Sequence, residues 1–237
     1  MSTPVKLERM SGPADRRLVW GLFQRRTCIL PTWRGVLILL AGAAILVAVL
    51  LRVVDPFLAV TEPVESKWLV VEGWMPDYGL KAATEVFQRG QYQRLYVTGI
   101  PLDQGEPLSQ YHTYAELGAA TLTHLGMNTN ALQAVPGPDV LRDRTYASAV
   151  ALKRWMQNHS GTPASLNVIS LGPHARRTRL MYEEAFGEGT RIGIISLPDR
   201  SYKGRPWWTT SRGFRDTTGE LIAYIYARFF FHPTEAP

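Results

Sequence analysis

The chain has 237 residues, of which 46% are hydrophobic and 19% charged; this excludes intrinsic disorder and rod-like repeats and leaves room for one ordinary domain with an appendage. Its one cysteine, Cys28, excludes an internal disulfide, and with no CxxC motif or Cys/His cluster neither a metal nor a cofactor is expected. The net charge of +6 is concentrated in residues 1–34, where Lys6, Arg9, Arg16, Arg17, Arg25, Arg26 and Arg34 face only Glu8 and Asp15, so the rest of the chain is nearly neutral and nucleic-acid binding is not expected.

Directly after this basic tail, Gly35 to Leu51 (GVLILLAGAAILVAVLL) carries no charge. At about 1.5 Å per residue the run makes about 26 Å of helix, and Arg52 can snorkel to the surface of a bilayer about 30 Å thick. Residues 35–54 are therefore predicted to cross a membrane. A buried core helix is disfavoured because apolar residues surround the helix without a polar stripe, and a removed signal peptide because no small-x-small cleavage site follows. An uncleaved signal anchor remains, and its basic flank predicts a cytoplasmic N-terminus with residues 53 onward extracytoplasmic. Cys28 then lies on the reducing side, and residues 55–65 read as a linker.

From there strands and helices alternate. Lys67 to Glu72 (KWLVVE) reads as a buried strand closed by Gly73, and Asp77 as the cap of a helix that stops at Gly90. Arg94 to Thr98 is a second strand ending at Gly99, followed by a helix opened by Ser109 and ended by Gly126. Ala131 to Val135 forms a weaker third strand, and Asp143 caps the next helix. Leu166 to Leu171 is the fourth strand, with Gly172 and Pro173 starting another helix. Arg191 to Leu197 is the fifth, and the last helix runs from about Ser211 to Phe231, its aromatic end packing on the sheet or resting on the bilayer. Strands separated by long helices pair in parallel through right-handed crossovers, so residues 66–231 are expected to form a Rossmann-like three-layer α/β domain with a mainly parallel sheet, leaving 232–237 as a short tail.

Ligands of such sheets bind beyond the carboxyl ends of the strands. The sequence places Gly73 and Trp74 there after strand one, Thr98 and Gly99 after strand two, and Arg142, Asp143, Arg144 and Thr145 before the third helix of the domain. Ser170, Gly172, His174, Arg176 and Arg177 follow strand four, and Asp199, Arg200, Trp207 and Trp208 follow strand five. Helix starts supply free amides and partial positive charge, arginine supplies forked donors and glycine permits close approach, so a phosphate, pyrophosphate or carboxylate is the expected ligand. His174 is the candidate for proton transfer or for a hydrogen bond to that anion. The competing reading makes the RDRT segment an ordinary capped helix start with solvated arginines.

VVEGW, YVTG, the acidic residue Glu116 in TYAELG, RTYAS and GPHARR together resemble the ElyC/SanA/YdcF family of bacterial envelope proteins over about residues 66–231. In RTYAS only Thr145 keeps the family's pattern, with Arg144, Ala147 and Ser148 at its Asn, Glu and Asn positions; His174 and Arg177 fit the family's HxxR. The resemblance implies a Rossmann-like domain tethered to the inner membrane and acting in peptidoglycan or surface-polysaccharide metabolism, with Glu116 and Ser148 joining the ligand-binding set. It also implies a lipid-linked or small anionic ligand and contacts with envelope synthesis proteins. Two alternatives stand beside this expectation: a non-catalytic docking protein, and a cytoplasm-facing domain that binds S-adenosylmethionine.

Overall fold

The computed structural model describes residues 17–18, 23–24, 32–202 and 204–233; Cys28 and most of the basic tail lie outside them. The chain divides into two compact units, Met1–Val47 and Ala48–Pro237. In the first, Arg17–Leu18 pairs antiparallel with Phe23–Gln24. Helix α1, Trp33–Leu58, is 26 residues long and apolar enough to cross a membrane.

The α/β domain follows as β1 (Trp68–Glu72), α2 (Asp77–Arg89), β2 (Arg94–Gly99), α3 (Tyr114–His124), β3 (Leu132–Pro136) and α4 (Arg144–His159). It continues through β4 (Ser165–Leu171), α5 (Ala175–Phe186), β5 (Arg191–Leu197) and α6 (Ser211–Phe229). The sheet is entirely parallel, in the order β3-β2-β1-β4-β5. The chain winds outward from β1 through β2 to β3, then returns through α4 to place β4 on the other side of β1. The carboxyl ends of β1 and β4 thus flank the point where the winding direction reverses, which is where a crevice opens in folds of this kind.

The period-2 alternation of the strands divides the core. Val70, Tyr96, Val168 and Ile194 pack with Leu152, Met156, Tyr182 and Phe186 of α4 and α5, whereas Leu69, Val71, Leu95, Val97 and Ile169 pack with Leu80, Ala83 and Leu122 of α2 and α3. The same alternation places Glu72, Thr98 and Ser170 on the α4/α5 face, two residues beyond Val70, Tyr96 and Val168. The apolar core therefore ends in a polar layer at the strand termini.

Several boundaries differ from expectation. The α1 helix continues to Leu58, which is fully buried, so its last turn belongs to the folded domain. The expected linker is an ordered edge: Glu62 exchanges backbone hydrogen bonds with Ile194 at 2.8 and 3.1 Å, and the Asn167 side chain holds the backbone of Val64 at 2.8 Å on both sides. Helix α3 starts at Tyr114 rather than near Ser109, because Thr113 and Glu116 form a capping box that satisfies the first amides there. Asp77 is the first helical residue behind Pro76, where its carboxylate faces the positive end of the helix. Asp143 does occupy the cap position of α4, but in a left-handed conformation (φ 56°, ψ 36°) and with no capping hydrogen bond from its side chain.

Two glycines allow α3 to abut the strand ends. A Cβ on Gly73 would sit 2.1 Å from the Tyr114 carbonyl oxygen, and one on Gly99 would sit 2.6 Å from Tyr114 Cβ and 2.7 Å from the Ala115 nitrogen. Because the atoms met at Gly73 are backbone, no rotamer change relieves the clash. Gly73→Ala should cost about 3 kcal/mol, the upper part of the usual range for overpacking, measured as a lowered urea midpoint. An unchanged midpoint would show that α3 does not rest on the end of β1.

Candidate functional site

A cavity of about 630 Å³ opens at the carboxyl edge of the sheet. Ten of the residues expected there from the sequence line it: Trp74, Thr98, Gly99, Arg142, Asp143, Arg144, Thr145, Ser148, His174 and Arg177. Gly73 and Glu116 do not, nor do Ser170, Gly172, Arg176, Asp199, Arg200, Trp207 and Trp208. Gly73 acts through the close packing described above, and Glu116 is a capping residue whose Oε2 accepts the His112 and Thr113 amides at 2.8 and 3.0 Å. Those hydrogen bonds, the one from His112 foremost, hold the Glu116 carboxyl below the usual range.

The floor is built from Glu72 at the end of β1 and His174 in the turn after β4. Val71 lies opposite Ile169, which sets Glu72 beside Ser170. Glu72 Oε2 accepts from Ser170 Oγ at 2.5 Å and from Thr178 Oγ1 at 3.3 Å. Its other oxygen lies 3.4 Å from His174 Nε2, which is buried and has no hydrogen-bond partner. On the far side of the ring, His174 Nδ1 is 2.9 Å from Glu220 Oε1 of α6. Arg177 forks onto the same carboxylate, with Nε donating to Oε2 at 2.8 Å and Nη2 donating to Oε1 at 3.0 Å. Trp74 packs edge-on against the imidazole, ring centres 5.2 Å apart.

The electrostatics follow from this arrangement. Burial alone would push His174 toward the neutral form, but Glu72 and Glu220 outweigh it and raise its pKa to about 9, so the imidazole is protonated at neutral pH. Burial likewise disfavours the carboxylates; the charge on His174 overrides it, holding Glu72 low and bringing Glu220 down to about 2. With Nδ1–H donated to Glu220, the Nε2–H of the imidazolium is left toward Glu72 and the cavity floor. Two carboxylates, one imidazolium and one guanidinium make a locally neutral cluster. Among the described residues no group of three His, Cys, Asp or Glu side chains is arranged to hold a metal ion; the guanidinium of Arg177 supplies the positive charge at Glu220.

The opposite wall is the start of α4. The amides of Arg144, Thr145 and Tyr146 precede the first intrahelical bond, Ala147 N–H to the Asp143 carbonyl at 2.9 Å, and all three residues line the cavity. Arg144 pairs with Asp103 at 2.9 Å, both half exposed, so the pair positions the guanidinium more than it stabilises the fold. Thr98 Oγ1 is 3.0 Å from the hydroxyl of buried Tyr182, which burial and the nearby Glu72 charge keep protonated. The remaining wall is apolar: Met181 of α5, Ala223, Tyr226 and Ala227 of α6, and Phe231, whose ring meets Tyr146 at 5.2 Å.

Glu72 and Glu220 are the functional residues that the sequence reading misses. A carboxylate closing an otherwise apolar strand signals Glu72, because a buried charge there requires a partner. Nothing in its spacing signals Glu220, which reaches the cluster only through the packing of α6 against α5. Compared with known proteins, the chain matches no protein-family model and no curated protein sequence.

Proposed function

We propose that this chain is a single-pass, membrane-anchored α/β protein whose extracytoplasmic cavity binds an anionic, phosphate-bearing ligand of cell-envelope metabolism, with His174 as the proton donor to that ligand. The observation that carries this reading is a buried imidazolium whose Nε2, 3.4 Å from Glu72, makes no hydrogen bond, set at the topological switch point with the free amides of a helix start lining the same cavity. Arg142 and Arg144 line the same cavity and supply forked donors, Arg144 being held in place by Asp103. The motifs YVTG and GPHARR, which resemble the ElyC/SanA/YdcF family, place Thr98, Gly99, His174 and Arg177 on one cavity and support the envelope context. The basic segment before α1 supports a cytoplasmic N-terminus.

One observation favours a second reading. Arg177 is committed to Glu220 and the floor cluster is neutral, as expected of a structural network inside a non-catalytic docking protein. Thermal melting of the full chain in nonionic detergent, with phosphate, pyrophosphate and nucleotide sugars, separates the two. A ligand at 100 times its Kd adds about 2.7 kcal/mol of stability and raises the melting point. The expected result is a rise for one phosphate class that the double variant Arg142→Ala/Arg144→Ala abolishes, with His174→Gln still binding but not turning the ligand over. No rise across the panel would favour the docking protein.

A further inference from the structure

The cavity is two-faced. Its sheet and α4 sides are polar, whereas the α6 side presents Ala223, Tyr226 and Ala227, with Phe231 beyond them. This apolar wall does not stop at the cavity mouth. Tyr226 is 52% exposed, and next to it on the outer surface of α6 lie Ile222, Phe229 and Phe230, which are 69%, 68% and 68% exposed. On a soluble surface such a stripe is a liability; here the same helix also packs against the end of a helix apolar enough to cross a membrane.

Two contacts fix that packing. Trp207, in the turn that leads into α6, donates its Nε1–H to the carbonyl of Leu51 at 2.8 Å, and Phe57 meets Tyr224 of α6 edge-on at 5.7 Å. Leu51 is the last residue of the uncharged run, so the beginning of α6 is held where α1 leaves the hydrocarbon. Aromatic side chains such as those of the α6 stripe are favoured in the interfacial layer of a bilayer.

Resting on the anion-binding reading above, we infer that the ligand is a membrane lipid: an amphiphile whose anionic head group enters toward His174 and the start of α4, while its hydrocarbon tail leaves along Tyr226, Ala227 and Phe231 into the bilayer. A water-soluble phosphate compound would use the polar half of the cavity and leave the α6 wall uncovered. A lipid uses both halves.

The test compares three probes on the full chain in nonionic-detergent micelles: ethyl phosphate, hexadecyl phosphate and hexadecan-1-ol. Hexadecyl phosphate should bind at least about tenfold more tightly than ethyl phosphate, since part of its buried tail gains survives competition with the micelle. Hexadecan-1-ol, lacking the anion, should not bind. In Tyr226→Ser/Phe231→Ser, with a cooperative melting transition verifying the fold, the ratio between the two phosphates should fall toward one. Equal affinities for both phosphates in the wild-type chain would overturn the lipid and leave the anion site standing. Failure of both phosphates to bind would overturn the anion site and the lipid with it. Binding of hexadecan-1-ol as tight as that of hexadecyl phosphate would show an apolar groove with no anion recognition, and would also overturn the inference.

Discussion

Replacing Glu220 with alanine should destabilise the domain by about 3 kcal/mol, the low end of the cost of breaking a buried ion pair. Arg177 and Glu220 are about one-fifth exposed (22% and 20%), so water relieves only part of the penalty. The loss has two sources. The guanidinium forfeits the fork of 2.8 and 3.0 Å bonds, and Arg177 Nη2 is left 2.9 Å from His174 Nδ1 with no carboxylate between two positive groups. Glu220→Gln keeps the shape and one acceptor but removes the charge, and should cost about half as much. The double variant Arg177→Met/Glu220→Leu should recover most of the stability lost in Glu220→Ala, because both charges leave the interior together and packing is retained. Urea unfolding of the three variants and the wild type checks this. A loss under about 0.5 kcal/mol in Glu220→Ala, the size of an ordinary surface substitution, would show that the α6 carboxylate does not engage the cluster.

The contrast between Glu220 and the strand-end residues shows what a sequence of this kind discloses. Apolar runs such as KWLVVE and LNVISL, each closed by glycine and each followed by a helix, point to parallel pairing through right-handed crossovers, whereas the order of the strands is read only from the structure. Residues just after those runs then fall at one edge, which is why ten of the expected site residues share a cavity. The start of α3 is also written locally, in Thr113 and Glu116, although Ser109 fits a helix opener by residue type. Glu116 illustrates the opposite hazard, since an acidic residue in the first turn of a helix serves the cap as readily as a ligand. Residues 59–66 carry no hydrophobic alternation, so their pairing along β5 and Asn167 rests on tertiary hydrogen bonds that no window of sequence contains. Glu220 belongs to the same class. Its role depends on α6 crossing α5 at the height of Arg177, a separation of 43 positions that no periodicity marks.

The protonation of His174 makes the stability of the domain depend on pH in a defined window. Its folded pKa of about 9 lies above the ordinary value of 6.5, because Glu72 and Glu220 outweigh the opposing effect of burial. The folded state therefore holds this proton more tightly than the unfolded chain. The resulting stabilisation is fully present below pH 6.5, declines as the pH rises toward 9 and is gone above it. Glu220 has the opposite sign: lowered from 4.5 to about 2, it contributes fully above pH 4.5 and is lost as the pH falls through 2. Stability should accordingly be greatest between these limits, near pH 5 to 6, and fall by about 3 kcal/mol by about pH 9.5 as His174 deprotonates and leaves two buried carboxylates facing one guanidinium. Urea unfolding of the full chain in detergent across this range measures the fall. In His174→Gln the alkaline limb should flatten, because the group that titrates there is gone, even though the variant is less stable at every pH for want of a cation beside Glu72. The ring carbon resonance of His174, assigned by its absence in that variant, should titrate with a midpoint near 9. A midpoint near 6.5 would show that neither carboxylate holds the proton, and would remove His174 as a donor that stays charged at neutral pH.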